Sequence, residues 1–304
     1  MGKAKIQKIR FKNTDFLERA MFGLIAGDAL GVPFEFKQRG TFEVNDMIGF
    51  GTHQQPAGTW SDDTSMTLAT LESFIECEYF DYEDLMNRFS RWLHQGDYCP
   101  YGKCFDAGHA TIAAIGRYEE GRSPLLCGGR GFRDNGNGSL MRILPIVFVE
   151  HTVDDILNLS SLTHAHEISL MCCRLYVQLA ENLIKGMDKG QAIKHLTCCV
   201  DECADIPKMD VLPRERIRST GYVADTFEAA VWCLMNTENY RDCVIEAVKL
   251  GNDTDTVAAA AGGLAGIYYG IGGEKGIPEE WINLLARKDW ISEMIQKAVK
   301  KQSL

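Results

Sequence analysis

Several features that would indicate an exported, membrane-bound or disulfide-stabilised protein are missing from this sequence. None of its 11 cysteines forms a CxxC pair, and the cluster Cys198, Cys199 and Cys203 lacks the ligand spacing of a zinc site. The first residues contain no apolar signal segment. The longest small, apolar run, 257–271, carries four glycines and is shorter than the ~20 residues of a membrane span. We therefore expect reduced thiols, a cytoplasmic location and no membrane partner, and we interpret the run as a buried helix.

Blocks of positive charge are missing as well. Acidic residues outnumber basic ones by 42 to 32, which gives a formal net charge of −10. Nucleic-acid surfaces need clustered Lys and Arg to neutralise phosphates, and the chain has no such cluster. We therefore do not expect nucleic acid as a partner.

The chain is nevertheless long and apolar enough to fold into a large globular unit. Of its 304 residues, 45% are hydrophobic, which permits a sizeable core. No low-complexity linker and no repeat of fixed period divides it. We expect one domain over residues 1–304.

Helical periodicity dominates the chain. Apolar residues recur at helical spacing from Phe16 to Leu30, and Asp15 with Glu18 resembles a capping box at the start of that helix. Further helices are predicted after Asp63, after His164 and after Asp225. Strand patterns are few and short, such as residues 143–149. The pattern predicts an all-α fold.

Two acidic turns stand out, each with two carboxylates among hydroxyl side chains. The first is GTWSDDTSM (58–66), and the second is GNDTDT (251–256), which opens the apolar helix. Either turn alone could be a helix cap, because Asp, Ser and Thr bind free N–H groups at helix starts. If the turns converge, however, at least four carboxylates meet, and their repulsion requires protons or cations. Oxygen donors without Cys or His favour Mg²⁺ or Mn²⁺.

Two further stretches are candidate functional sites. Glu35 lies between Phe34 and Phe36, where burial would raise its pKa for proton transfer; on the local sequence alone it could also be a surface glutamate. The loop NGNGSLMR (135–142) could offer backbone N–H groups to a diphosphate, or it could be a plain Asn-Gly turn. No GxGxxG, P-loop, GxSxG or HExxH motif occurs, which disfavours dehydrogenase, NTPase, serine-hydrolase and zincin functions.

Six segments in this order resemble the signature segments of the ADP-ribosylglycohydrolase family, which includes the dinitrogenase reductase-activating glycohydrolases. The resemblance runs from about residue 20 to about residue 270. The segments are GLIAGDALGVPFEF, GTWSDDTSM, FDAGHAT, GNGSLMR, THAH and GNDTDTVAAAAGGLAG. The chain has Ser61 where many relatives have threonine, which keeps the hydroxyl, and FDAG where FDIG is commoner.

The resemblance implies a compact bundle of orthogonally packed helices and a centre of two Mg²⁺ or Mn²⁺ ions. Matched segment by segment, the metal ligands are Ser61, Asp62, Asp63, Asp253, Asp255 and Thr256. Catalytic roles fall to Glu35, Asp62 and Asp255. The residues that line the ADP-ribose cleft are Asp106, Gly108, Asn137, Gly138, Ser139, Met141 and His164.

The resemblance further implies a hydrolase that cleaves the N- or O-glycosidic bond between ADP-ribose and an acceptor, reversing ADP-ribosylation and releasing ADP-ribose. The acceptor would be a modified protein or small molecule. Asp106 could face a guanidinium, so arginine is the first expectation, with serine or another acceptor open. Two alternatives remain: a non-catalytic ADP-ribose-binding or structural protein on the same fold, and a two-metal phosphohydrolase that cuts the diphosphate.

Overall fold

The fold was described from a computed structural model, which covers residues 8–197 and 205–302. The cluster Cys198, Cys199 and Cys203 lies outside those residues. Within them the fold is all-α, as the sequence predicts. The α-helices are α1 (Thr14–Gly31), α2 (Asp62–Glu76), α3 (Tyr82–Gln95), α4 (His109–Glu119), α5 (Val153–Ser161), α6 (Glu167–Ile184), α7 (Lys189–Lys194), α8 (Val223–Met235), α9 (Tyr240–Lys249), α10 (Thr254–Tyr269), α11 (Glu279–Leu284) and α12 (Lys288–Gln302).

Short 3₁₀ helices and isolated β-bridges connect these helices. The 3₁₀ helices in the described ranges are Val32–Phe34, Pro124–Leu126, Phe132–Asp134, Leu144–Phe148, Ile206–Lys208 and Arg214–Arg216. The β-branched segment 143–149 is therefore a buried 3₁₀ turn, not a strand. Among the described residues, β-structure is limited to isolated bridges such as Phe11 with Val149.

The core is organised around the crossing of α1 and α10. Both helices are buried along almost their whole length, which confirms that the apolar run is a buried helix. Their backbones touch at small residues: a Cβ added to Gly23 would lie 2.3 Å from the carbonyl oxygen of Gly262, and one added to Gly27 would lie 2.1 Å from that of Ala258. This contact brings the C-terminal end of α1 beside the N-terminus of α10.

The start of α1 differs from the sequence prediction. The helix begins at Thr14 after Asn13, which adopts a left-handed conformation and makes no side-chain cap. The capping box predicted from Asp15 and Glu18 is therefore wrong. Thr14 instead donates its backbone N–H and its hydroxyl to the side chain of Gln302 at the end of α12, so this helix end is satisfied by tertiary contacts that no local pattern reveals.

No helix in residues 8–197 and 205–302 is both long enough and apolar enough to cross a membrane.

Candidate active site

The first acidic turn is capped by a hydroxyl and not by its carboxylates. Ser61 is the N-cap of α2, and its Oγ accepts a hydrogen bond from the backbone N–H of Asp63 at 3.4 Å. Asp62 and Asp63 follow as the first two helical residues, and both are buried. Since one side chain suffices for the cap, capping does not explain the two carboxylates.

Asp28 of α1 holds this turn in place. Its carboxylate accepts hydrogen bonds from the backbone N–H of Ser61 at 2.9 Å, from the backbone N–H of Thr64 at 3.0 Å and from the Thr64 hydroxyl at 2.6 Å. Complete burial raises the pKa of Asp28 to about 6 despite these donors. No local pattern connects Asp28 with residues 61–64, so this contact could not be predicted from the sequence.

The second acidic turn opens α10. Asp253 is the N-cap residue, but its side chain makes no cap; its Oδ2 instead accepts a hydrogen bond from Nδ2 of Asn137 at 2.8 Å. Asp255 is fully buried, and its Oδ1 accepts the backbone N–H of Thr256 at 3.0 Å. Capping therefore does not explain the two carboxylates of this turn either.

The two turns meet. The Thr256 hydroxyl of the second turn donates to Oδ2 of Asp63 at 3.3 Å, and the Ser61 hydroxyl donates to the same oxygen at 3.0 Å. One carboxylate oxygen each from Asp28, Asp63 and Asp255 lies within 4.8 Å of the other two. Oxygens of Glu35, Asp253 and Asp255 form a second such group, so that Asp255 belongs to both.

This crowding is electrostatically unfavourable for the protein alone. Desolvation is the largest cause that raises the pKa values of Asp62, Asp63 and Asp255 well above their ordinary range, and the neighbouring carboxylates raise them further. Like charges in a dry site must take up protons or counter-ions. Asp63 Oδ1 and Asp255 Oδ2 are buried with no hydrogen-bond partner in the described part of the chain, and such bare oxygens suit hard divalent cations. The side chains present therefore fit a metal centre.

Glu35 pairs with a residue that the sequence reading missed. Its carboxylate is in close contact with Nε2 of His53, and the His53 ring packs against Phe105 with the ring centroids 5.2 Å apart. Burial is the main cause that raises the pKa of Glu35 to about 8, although the His53 contact lowers it. The same contact raises the pKa of His53.

The aromatic neighbours of Glu35 are not arranged as expected. Phe34 is buried, but Phe36 is 68% exposed and has a positive φ of 62°. Glu35 itself is buried, as one of the two interpretations expected, although Phe36 is largely exposed. His53 covers the carboxylate of Glu35. It lies in a loop, and no sequence pattern connects it with Glu35.

A cavity of about 470 Å³ opens onto the acidic turns, a volume within the range of small-molecule sites. Asp106, which has a positive φ of 55°, and Gly108, the N-cap of α4, form part of its wall. The predicted site residues that line it are Glu35, Asp62, Asp106, Gly108, Asn137, Gly138, Met141, His164, Asp253 and Thr256. Ser61, Asp63 and Asp255 lie behind this wall, in the contacts described above.

The loop 135–142 is arranged differently from the predicted cradle of N–H groups. The backbone N–H of Asn137 donates to the carbonyl of Gly221 at 3.1 Å, and its side chain supports Asp253. Ser139 does not line the cavity: its hydroxyl accepts from Ser160 Oγ at 2.9 Å and lies 3.4 Å from Cys173 Sγ. Ser139 therefore supports the site from behind, whereas Asn137 and Gly138 line the cavity.

Comparison with known proteins gives a consistent result over nearly the whole chain. A family model described as ADP-ribosylglycohydrolase matches residues 12–304. The ADP-ribosylarginine hydrolase Tri1 of Pseudomonas putida (strain GB-1) is 35% identical over 297 residues, which cover 93% of this chain and 77% of that protein. The ADP-ribosyl-[dinitrogen reductase] glycohydrolase of Rhodospirillum rubrum is 28% identical, covering 88% and 90%. A solved structure described as an ADP-ribosylglycohydrolase-related protein complex is 29% identical, with a TM-score of 0.81, covering 95% of this chain and 99% of that one.

Proposed function

This chain belongs to the ADP-ribosylglycohydrolase family, and we propose that it removes ADP-ribose from modified arginine side chains with the help of two divalent cations. It is an enzyme that hydrolyses the glycosidic bond between ADP-ribose and an acceptor. The observation that carries the proposal is the meeting of two buried acidic turns at the floor of one cavity.

We expect the enzyme to act in the cytoplasm, because Cys99 and Cys104 near the site are free thiols and such thiols are typical of a reducing compartment.

The acceptor assignment is supported by the acidic side chains at the cavity mouth. Glu35 and Asp106 line the cavity on the same side, and their carboxylates lie within 4.8 Å of each other and of His53. A planar guanidinium offers several N–H donors in one fork to the carboxyl oxygens of such side chains. The similarity to a protein named ADP-ribosylarginine hydrolase points to the same acceptor.

The side chains that would hold the cations are Ser61, Asp62, Asp63, Asp253, Asp255 and Thr256. Asp28 would act behind them by orienting the first turn. When bound, Mg²⁺ or Mn²⁺ ions neutralise this charge, polarise the oxygens they hold and make water a better nucleophile at neutral pH. We expect two ions because Asp255 belongs to two separate groups of carboxylates.

The residues around the cavity supply the remaining chemistry. Hydrolysis breaks the bond from the anomeric carbon to the acceptor nitrogen, so the nitrogen must gain a proton while water adds to the carbon. Burial raises the pKa of Glu35 to about 8 in the metal-free protein and so favours a protonated carboxyl group, which can donate that proton. The carboxylates of Asp62 and Asp255 lie nearby and favour the positive charge that develops on the sugar ring.

An acceptor panel tests this function. Peptides carrying ADP-ribosylarginine and ADP-ribosylserine would be incubated with the enzyme in Mg²⁺, in Mn²⁺ and in EDTA, and the release of ADP-ribose would be followed by chromatography. We expect rapid release from arginine, slow or no release from serine, and no release in EDTA. Preferential release from serine would refute the arginine assignment. Binding of ADP-ribose in calorimetry without turnover of either peptide would indicate a binding protein instead.

A further inference from the structure

A buried arginine lies directly behind the wall of the cavity, although the acidic turns do not use it. Arg142 is completely buried, and its guanidinium carbon lies 4.8 Å from the centre of the Phe89 ring. Its Nε and Nη1 atoms have no hydrogen-bond partner among the described residues. Its remaining nitrogen, Nη2, donates to the Thr163 hydroxyl at 2.8 Å and to the carbonyl of Leu159 at 3.1 Å. A buried cation with so few partners needs a reason to be there.

The Thr163 hydroxyl connects Arg142 with the cavity. Its Oγ1 lies 2.9 Å from Nδ1 of His164, and His164 lines the cavity beside Gly136 and Gly138. An added Cβ on Gly136 would lie 3.2 Å from Nε2 of His164, and one on Gly138 would lie 2.9 Å from its Cε1. The Nε2 edge of the ring therefore points toward the loop that borders the cavity.

The direction of these hydrogen bonds fixes the position of the histidine proton. Arg142 can only donate, so the Thr163 oxygen accepts from it. The Thr163 hydroxyl has one proton, it is buried, and within the described residues its other neighbour is Nδ1 of His164. The hydroxyl must therefore donate to Nδ1, which leaves the ring proton on Nε2. His164 stays neutral, because burial and the Arg142 charge lower its pKa to about 3.

We propose that Arg142 and Thr163 are positioning residues that hold His164 in the Nε2–H tautomer, so that it presents a neutral donor to an oxygen of ADP-ribose in the cavity. The identity of the ligand rests on the proposed function, whereas the tautomer does not. A neutral donor beside the carboxylates adds no charge that would compete with bound cations, and it can hydrogen-bond a phosphate or ribose oxygen.

Two threonine variants test the proposal. Thr163→Val keeps the side-chain shape but removes the hydroxyl, and Thr163→Ser is the matched control that keeps the hydroxyl. In nitrogen-15-labelled protein without ligand, the resonances of His164, one of seven histidines, can be assigned from a His164→Gln variant. We expect Nε2 to be protonated and Nδ1 unprotonated in the wild type and in Thr163→Ser. In Thr163→Val we expect a mixture of tautomers.

Affinity provides the second readout. Loss of a fixed donor to a charged oxygen should weaken ADP-ribose binding of Thr163→Val about tenfold, with the wild-type affinity retained in Thr163→Ser. A proton on Nδ1 in the wild type would overturn the proposal, and so would a Thr163→Val protein with the wild-type tautomer and affinity. Failure of the wild type to bind ADP-ribose would instead contradict the proposed function, since the spectra of the free protein report the tautomer independently.

Discussion

At the scale of single residues, the site contains buried carboxylate oxygens that have no hydrogen-bond donor among the described residues. Asp255 is completely buried, and one of its two oxygens has no hydrogen-bond donor among the described residues. A carboxylate in this position destabilises the metal-free protein, because burial and the neighbouring carboxylates both disfavour its ionised form. A bound cation would give this oxygen a partner and would favour the ionised form of Asp255.

Asp255→Asn tests the role of this carboxylate both in the metal-free protein and in the presence of Mn²⁺. The amide removes a buried charge, so the metal-free variant should be at least as stable as the metal-free wild type. The rise in melting temperature that Mn²⁺ produces in the wild type should disappear, and kcat/KM should fall by about 10²-fold or more. Calorimetric melting curves with and without Mn²⁺ measure the first two effects, and ADP-ribose release measures the third.

Asp154→Asn is the matched control for that substitution. Asp154 is an exposed carboxylate in the first turn of α5, so the chemical change is the same but no buried charge is removed. It should behave as the wild type in all three measurements. If Asp255→Asn keeps the full Mn²⁺-dependent stabilisation, Asp255 is not a ligand.

Glu35→Gln separates proton transfer from metal binding. Gln keeps the shape of the side chain and the ability to accept from His53 but cannot supply a proton to the departing nitrogen. We expect kcat to fall by about 10²- to 10⁴-fold, with Mn²⁺-dependent stabilisation retained. Glu18→Gln, at an exposed position in α1, is the control. Unchanged turnover in Glu35→Gln would exclude Glu35 as the proton donor.

At the scale of the helices, the approach of α1 to α10 determines where the acidic turns lie. Gly27 packs on the backbone of Ala258, one residue before Asp28 and three residues after Asp255 in their respective helices. Any side chain at this contact would push the two helices apart. The small residues of the crossing are therefore as important for the site as the carboxylates.

Gly27→Ala should destabilise the protein by about 2 kcal/mol or more, because the added methyl group meets rigid backbone atoms. We also expect weaker Mn²⁺ stabilisation, since the turns would separate. Gly116→Ala in α4 is a matched control: it is also a glycine in a helix, but an added Cβ meets nothing within 4 Å. That variant should be as stable as the wild type or more stable by up to about 1 kcal/mol. Urea unfolding measures both, and equal stabilities would contradict the packing argument.

The helices themselves were largely predictable, because their apolar periodicity is local. The helix predicted from Phe16 to Leu30 is present as Thr14–Gly31, and the helices predicted after Asp63 and His164 begin at Asp62 and Glu167. The helix ends were less predictable. The start of α1 depends on Gln302, which is distant in sequence and leaves no local signal.

At the scale of the whole molecule, the stability should depend on pH and on cations together. Glu35 holds its proton up to about pH 8 in the folded protein but releases it near its ordinary pKa of 4.5 when unfolded. The folded state therefore binds more protons in this interval, and its stability falls as pH rises. His164 has the opposite effect, but only between about pH 3 and pH 6.5, where the unfolded residue titrates.

Above about pH 6.5 the effect of His164 is largely complete, and the raised pKa of His53 acts in the same direction as that of Glu35. In EDTA, the free energy of unfolding should fall by on the order of 1 to 2 kcal/mol from about pH 6.5 to about pH 8. Saturating Mn²⁺ should reduce this decrease, because the cations neutralise acidic neighbours that help to raise the pKa of Glu35. Chemical unfolding at both pH values, with and without Mn²⁺, measures this free energy of unfolding. A stability in EDTA that rises over this interval would contradict the raised pKa of Glu35.

The convergence of the two acidic turns depends on the whole fold, and this limits what local patterns reveal. Repeated carboxylates at 62–63 and 253–255 indicated that cations were needed if the turns met, and the fold brings Thr256 to Asp63. His53 and the hydroxyl of Thr163 escaped prediction because their partners are defined only by tertiary structure. The assignment of individual ligands stays a prediction.

The most direct measurement is the identity of the products from an ADP-ribosylarginine peptide, determined by mass spectrometry in Mn²⁺ and in EDTA. We predict intact ADP-ribose and unmodified arginine peptide in Mn²⁺, and no reaction in EDTA. AMP together with a peptide that keeps a phosphoribosyl group would contradict the account, because the diphosphate and not the glycosidic bond would then be cleaved. Equal release of ADP-ribose in EDTA would contradict the metal centre.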